Sequence, residues 1–144
     1  MAMNVTRRGV EESLRESEER FRGAFETAAI GMALVGLDGR WVKVNPALCG
    51  IVGYTEEELL EKTFQDITHP DDLQADLASA EALVRGELPH YHQEKRYFHK
   101  DGHVVWVMLS VSVVRSGNGE PLYFVSQIED ITTRKVMDEE LRKR

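Results

Sequence analysis

The chain has 144 residues, 42% of them hydrophobic and 30% charged, with a formal net charge of −7 and one cysteine. That length holds one domain with a self-sufficient core, and the balance is neither that of a disordered nor of a fibrous protein. A lone Cys49 excludes an internal disulfide framework, and the chain opens on no charged-then-apolar leader, so a reducing, cytoplasmic setting is expected. Acidity is concentrated in residues 24–85, with eleven acids against four bases. A surface of that sign repels phosphate backbones, so this segment is read as binding no nucleic acid. The longest apolar run, Val104 to Val114, is interrupted by Ser110 and Ser112 and is too short for a spanning helix, so no membrane contact is expected.

Along the chain, Val10, Leu14, Ser17, Phe21, Ala24 and Ala28 recur in steps of four and three among Arg and Glu, which predicts an amphipathic helix over residues 1–28. Ile30 to Val35 reads as a buried strand, Leu37 to Arg40 as a turn and Trp41 to Val44 as the returning strand. Asn45-Pro46 is an N-cap with proline in the first helical position, opening a short helix that stops at Gly53. Thr55 with Glu58 is a capping box for a second short helix, Glu56 to Leu60.

After an irregular stretch, Pro70-Asp71-Asp72 starts a longer helix with Leu73, Leu77, Ala80 and Val84 on the face expected to cover a core, ended by Gly86. Three strands follow: Tyr91 to His99, Val104 to Arg115 and Leu122 to Ile131, joined by Lys100-Asp101-Gly102 and Gly117-Asn118-Gly119 turns. Thr132 or Thr133 caps a final charged helix, Arg134 to Arg144, with few apolar positions.

Asn45-Pro46-Ala47-Leu48-Cys49 with Gly53-Tyr54-Thr55, then His69-Pro70-Asp71-Asp72, Lys100-Asp101-Gly102 with Trp106, and Asp130-Ile131-Thr132 stand in an order and spacing that resembles the PAS domain family. The resemblance covers roughly Arg20 to Arg134. It implies an α+β fold: a five-stranded antiparallel sheet with short helices and one longer helix on one face, flanked by N- and C-terminal helices. The corresponding boundaries are 1–28 for a connector helix, 29–132 for the domain and 133–144 for the start of an exit connector.

Alternation along the strands, oriented by that comparison, points Val107, Leu109, Phe124 and Ile128 inward with Tyr97 as a polar handle. With Leu73 and Leu77 above them they are the expected ligand pocket, suited to a small, mainly apolar ligand. Trp106, Met108, Tyr123 and Val125 point outward, an apolar patch that Leu14, Phe21 and Phe25 of the first helix are expected to cover, in a homodimer in preference to within one chain. The resemblance further implies a sensory or regulatory module. It would pass a ligand or interface signal through Asp130-Ile131-Thr132 to a downstream output domain such as a histidine kinase or a cyclic-dinucleotide enzyme. A structural dimerisation module with a filled pocket is the alternative.

No catalytic residues are assigned, because no nucleophile elbow, phosphate loop or zinc-protease motif occurs, and the acids of Glu56 to Glu58 and Asp71-Asp72 suit helix starts. The cofactor is left unassigned. Light-sensing flavin members carry a reactive cysteine where Lys62 to Thr68 has none and Phe64 falls near the place; haem members offer a histidine from the long helix, and Leu73 to Arg85 has none. His90, His92, His99 and His103 fit no known metal signature, so no metal is assigned; the requirement for one is three converging donors.

Overall fold

The computed structural model describes residues 7–144; the first six residues of the expected connector helix lie outside the described residues. The elements are α1 (Arg7–Thr27), β1 (Gly31–Val35), β2 (Trp41–Val44), α2 (Pro46–Val52), α3 (Glu56–Leu60), α4 (Phe64–Ile67), α5 (Pro70–Val84), β3 (Tyr91–Phe98), β4 (Val104–Arg115), β5 (Pro121–Asp130) and α6 (Thr132–Arg142). The strands form one antiparallel sheet in the order β2-β1-β5-β4-β3. The last strand thus lies at the centre, between the first and the fourth.

Local chemistry sets each helix start. Asn45 is fully buried and uses all its hydrogen-bonding capacity: Oδ1 accepts from the Met32 and Leu48 N–H groups, and Nδ2 donates to the Phe25 and Ile30 carbonyls. One side chain therefore caps α2 and ties the end of α1 to β1. Thr55 and Glu58 form the capping box of α3. The stretch read as irregular contains α4, opened by a second such box from Thr63 and Asp66; four residues are too few to show a helical period.

One sheet face and α2–α5 enclose the core, in which Ala33, Val44, Leu48, Leu83, Tyr97, Val107 and Ile128 are all but sealed. The strand alternation has the expected phase: Val105, Val107, Leu109 and Val111 are buried, while Trp106, Met108, Ser110 and Ser112 are half-exposed.

Three expectations are corrected. On α5 the fully buried side chains are Asp76 and Leu83, seven residues apart; of the expected face, Ala80 and Val84 are half-buried and pack against the core, whereas Leu73 and Leu77 are half-buried and are not among the residues packed on it. Phe25 is 1% exposed within a single chain, against Phe21 and under the Lys43 ammonium, so it is core and not dimer surface. The rest of the α1 stripe stays largely open, since Val10, Leu14 and Phe21 remain 53%, 59% and 48% exposed. Finally, α6 begins at Thr132 without a side-chain cap, because the Thr132 hydroxyl is committed to the Trp106 backbone.

Candidate functional site

On β3, period-two alternation sends Tyr91, Lys95 and Tyr97 into the core. A lysine in that phase brings a charge that must be met. Both Lys95 and Asp76 side chains are 1% exposed, and the Lys95 ammonium donates to the Asp76 carboxylate and, at 3.1 Å, to Thr68 Oγ1. Tyr91 donates from its hydroxyl to the other Asp76 oxygen at 2.8 Å. The ammonium also lies over the Phe64 and Tyr97 rings, 5.0 and 4.6 Å from their centroids. Burial pushes the Lys95 pKa below the usual lysine range, with the Asp76 charge pulling it back. Burial and the same carboxylate push the Tyr91 and Tyr97 hydroxyls far up, so both stay protonated.

Beside this cluster is a cavity of about 20 Å³, bounded by Trp41, Phe64, Lys95, Leu109, Phe124 and Ser126. That is space for about one water, far below the several hundred Å³ of a typical small-molecule site. Trp41 is 3% exposed, and its Nε1–H meets no acceptor among the described residues. The interior is filled by packed hydrophobic side chains together with the protein's own ion pair.

Of the expected pocket residues, Leu109 and Phe124 line this cavity; Tyr97, Val107 and Ile128 are packed core around it, and Leu73 and Leu77 lie outside its lining. Sequence reasoning missed Asp76, Lys95, Tyr91, Thr68, Trp41 and Ser126. The signal for Lys95 was present in the alternation Tyr91, Lys95, Tyr97; that for Asp76 was its seven-residue spacing from Leu83. Cys49 is half-buried, and burial raises its thiol pKa, away from reactive thiolate chemistry.

The opposite sheet face carries the exit. Ile131 N–H donates to the Trp106 carbonyl at 2.9 Å, the Thr132 hydroxyl accepts from the Trp106 N–H at 3.1 Å, and Asp130 accepts from the Thr132 N–H at 2.9 Å. Trp106 is flanked by two cations, Arg96 at 5.0 Å and Lys135 of α6 at 4.7 Å from the ring centroid. Asp72 holds Arg96 through two side-chain hydrogen bonds of 2.8 and 2.9 Å and accepts its backbone N–H at 2.8 Å. Glu94 pairs with both Lys135 and Arg134. So α6 is fastened to β3 and β4 at its first turn, and beyond it Val136, Met137 and Leu141 are 57%, 61% and 63% exposed.

The sequence pattern described as the PAS fold matches residues 42–128. Over 122 residues, 85% of this chain, it is 52% identical to a probable diguanylate cyclase, DgcE, of Escherichia coli, and spans 11% of that protein. It is 30% identical over 91% of its length to the sensor histidine kinase TmoS of Ectopseudomonas mendocina, and spans 14% of that protein. In three dimensions it resembles the PAS domain of a Colwellia psychrerythraea protein with a TM-score of 0.75 at 20% identity, covering 81% of this chain and 98% of the other. Among the described residues no helix is long and apolar enough to cross a membrane.

Proposed function

The chain belongs to the PAS fold family, and from that premise we propose that it is a cytoplasmic regulatory module that controls an output domain of the same parent protein, cyclic-dinucleotide synthesis first among the candidate outputs. The relatives at 52% and 30% identity are a cyclase and a kinase of which it matches only a small part, which supports a module serving a separate output. The module itself carries no catalytic role in this reading.

The observation that carries the proposal is the junction at Trp106. Its backbone receives Ile131 and Thr132, and its ring receives Arg96 and Lys135, so a shift of β4 relative to β3 acts directly on the first turn of α6. Two arrangements of that junction would be two directions of departure for the helix, the minimum a relay requires. The exposed apolar positions on α1 and α6 support pairing of both helices in a homodimer.

The near-filled interior favours the second reading of the input: a signal arriving through α1 and the dimer, with no organic ligand in the core. Asn45 supports it, since it joins the last turn of α1 to β1 and α2 in one hydrogen-bonded node.

A chimera carrying this chain in place of the matching segment of the cyclase relative tests the relay. Asp130→Ala and Thr132→Ala are expected to change cyclic-dinucleotide output severalfold with the far-ultraviolet spectrum of the isolated module unaltered. Output identical to the parent chimera in both variants overturns the proposal. Native mass spectrometry of the module separates the inputs, a dimer without added mass favouring the helix route.

A further inference from the structure

The β3–β4 turn brings together three metal-ligating side chains within five residues. His99 lies just after β3 and His103 just before β4, joined by the His99 N–H to His103 carbonyl bond of 2.8 Å, with Asp101 between them. Their imidazoles stack with centroids 4.4 Å apart and 19° between planes. Both Nδ1 atoms approach the same Asp101 carboxylate oxygen, at 3.2 Å from His99 and 2.5 Å from His103, and one donor atom from each of the three lies within 4.8 Å of the others. Gly102 makes the closeness possible, since its φ of 98° lets the chain reverse in the left-handed region that a side chain disfavours. These are the three converging donors whose absence from any sequence signature argued against a metal.

We propose that His99, Asp101 and His103 form a site for a divalent transition ion of the zinc and nickel class. Two imidazoles are borderline donors that suit such ions, which also accept a carboxylate oxygen as third ligand, whereas calcium asks for six or more oxygens. Tetrahedral bonds of about 2.0–2.2 Å place ligand atoms roughly 3.3 Å apart, so closing the cluster around an ion needs side-chain shifts on the order of 1 Å, and a fourth position stays open to solvent. The nearest cation of the turn is already engaged, because Lys100 Nζ is 2.6 Å from Glu58 on α3.

An ion here has a structural neighbour on which to act. The His99 ring fills the space above Gly53, the residue ending α2 at φ 78°, where an added Cβ would stand 2.2 Å from the ring. Lys100 N–H donates to the Val52 carbonyl at 2.9 Å. Fixing His99 therefore fixes the contact between hairpin and helical layer.

Isothermal titration of the chelator-treated chain with zinc chloride alone is the test. One equivalent is expected to bind, and His103→Ala and Asp101→Asn are each expected to weaken it at least about tenfold, because losing even an outer partner of a metal ligand costs about 10–100-fold. The His90→Ala/His92→Ala pair is expected to bind like the parent, and calcium chloride to give no comparable heat. Both test side chains are on the exposed turn, at 58% and 62% exposure, so the fold is retained and circular dichroism verifies it. Equal zinc affinity in parent and His103→Ala, loss of binding in the His90/His92 variant, or calcium bound as tightly as zinc would each overturn the assignment.

Discussion

Lys95 and Arg96 are adjacent on β3, each pairs with an aspartate one turn apart on α5, and each cation lies over an aromatic ring, yet their surroundings are opposite. The Lys95 and Asp76 side chains are 1% exposed; those of Arg96 and Asp72 are 25% and 16% exposed. The inner pair has given up its hydration: Lys95 depends on Asp76, Thr68 and two ring faces, and Asp76 on Lys95 and the Tyr91 hydroxyl. The outer pair keeps part of its water, and its carboxylate also accepts the Arg96 backbone N–H on an edge strand, protecting that edge from pairing with another chain. Removing one member of a sealed pair leaves an uncompensated charge, while removing one member of an open pair returns the other to solvent. The inner pair thus specifies the core, and the outer pair joins β3 to the face that leads to α6.

The largest effect expected from breaking this contrast is at Asp76. Asp76→Ala is expected to cost about 3–5 kcal/mol in urea unfolding, because Lys95 is left buried without its partner and Tyr91 without its acceptor. Replacing the whole cluster at once, as Lys95→Met with Asp76→Leu and Tyr91→Phe, is expected to restore stability to within about 1 kcal/mol of the parent or above it. A triple variant as unstable as Asp76→Ala would mean that the polar cluster holds the core together and does not merely specify it.

Much of the scaffold was legible because its signals are local. Asn45-Pro46, the Thr55 and Glu58 box, Pro70 and the glycine turns each act within four residues, and strand alternation gave the correct faces of β4 and β5. The polar interior was not legible as a pair: Asp76 and Lys95 are nineteen positions apart, and sequence shows each acid or base without its partner. Phe25 shows a second limit. Its place one helical turn after Phe21 groups it with Leu14 and Phe21 but does not say what covers each turn, and the last turn of α1 is claimed by Asn45 and Lys43 of its own chain. The four histidines are visible in the sequence; the convergence of His99 and His103 on Asp101 is not, since it depends on the geometry of one tight turn.

At the outer pair a smaller effect with a defined pH window is expected. Arg96 hydrogen bonds hold the Asp72 carboxyl below the usual aspartate range, against the opposing push of burial. Between its folded and unfolded pKa the unfolded chain binds more protons, so the pair's stabilisation is present above about pH 4 and is lost as pH falls through the folded value. Asp72→Asn is therefore expected to cost about 1–2 kcal/mol at pH 7 and progressively less in acid. Urea midpoints of parent and variant that stay equally separated from pH 7 to pH 2.5 would assign the loss to packing instead of charge.

The smallest stability change is expected at Lys135, where structural and functional consequences separate most clearly. Glu94 is held below the usual glutamate range first by Lys135, with Arg134 adding to it, but these groups are 28–53% exposed, so solvent and salt screen their attraction. Lys135→Met keeps much of the stem and removes the charge from both Glu94 and the Trp106 ring. Arg96 still lies over that ring, and Arg134 still serves Glu94, so global unfolding is expected to move by no more than about 0.5 kcal/mol. The first turn of α6, however, loses one of the few side chains that fasten it to the sheet. Amide exchange at residues 132–136 is expected to quicken in Lys135→Met at low salt, and to quicken in the parent as salt is raised, while the β4 and β5 amides keep their protection. If exchange in α6 and in the central strands rises together, the exit helix is part of the core's cooperative unit, and the outer face does not give it the independent movement a relay requires.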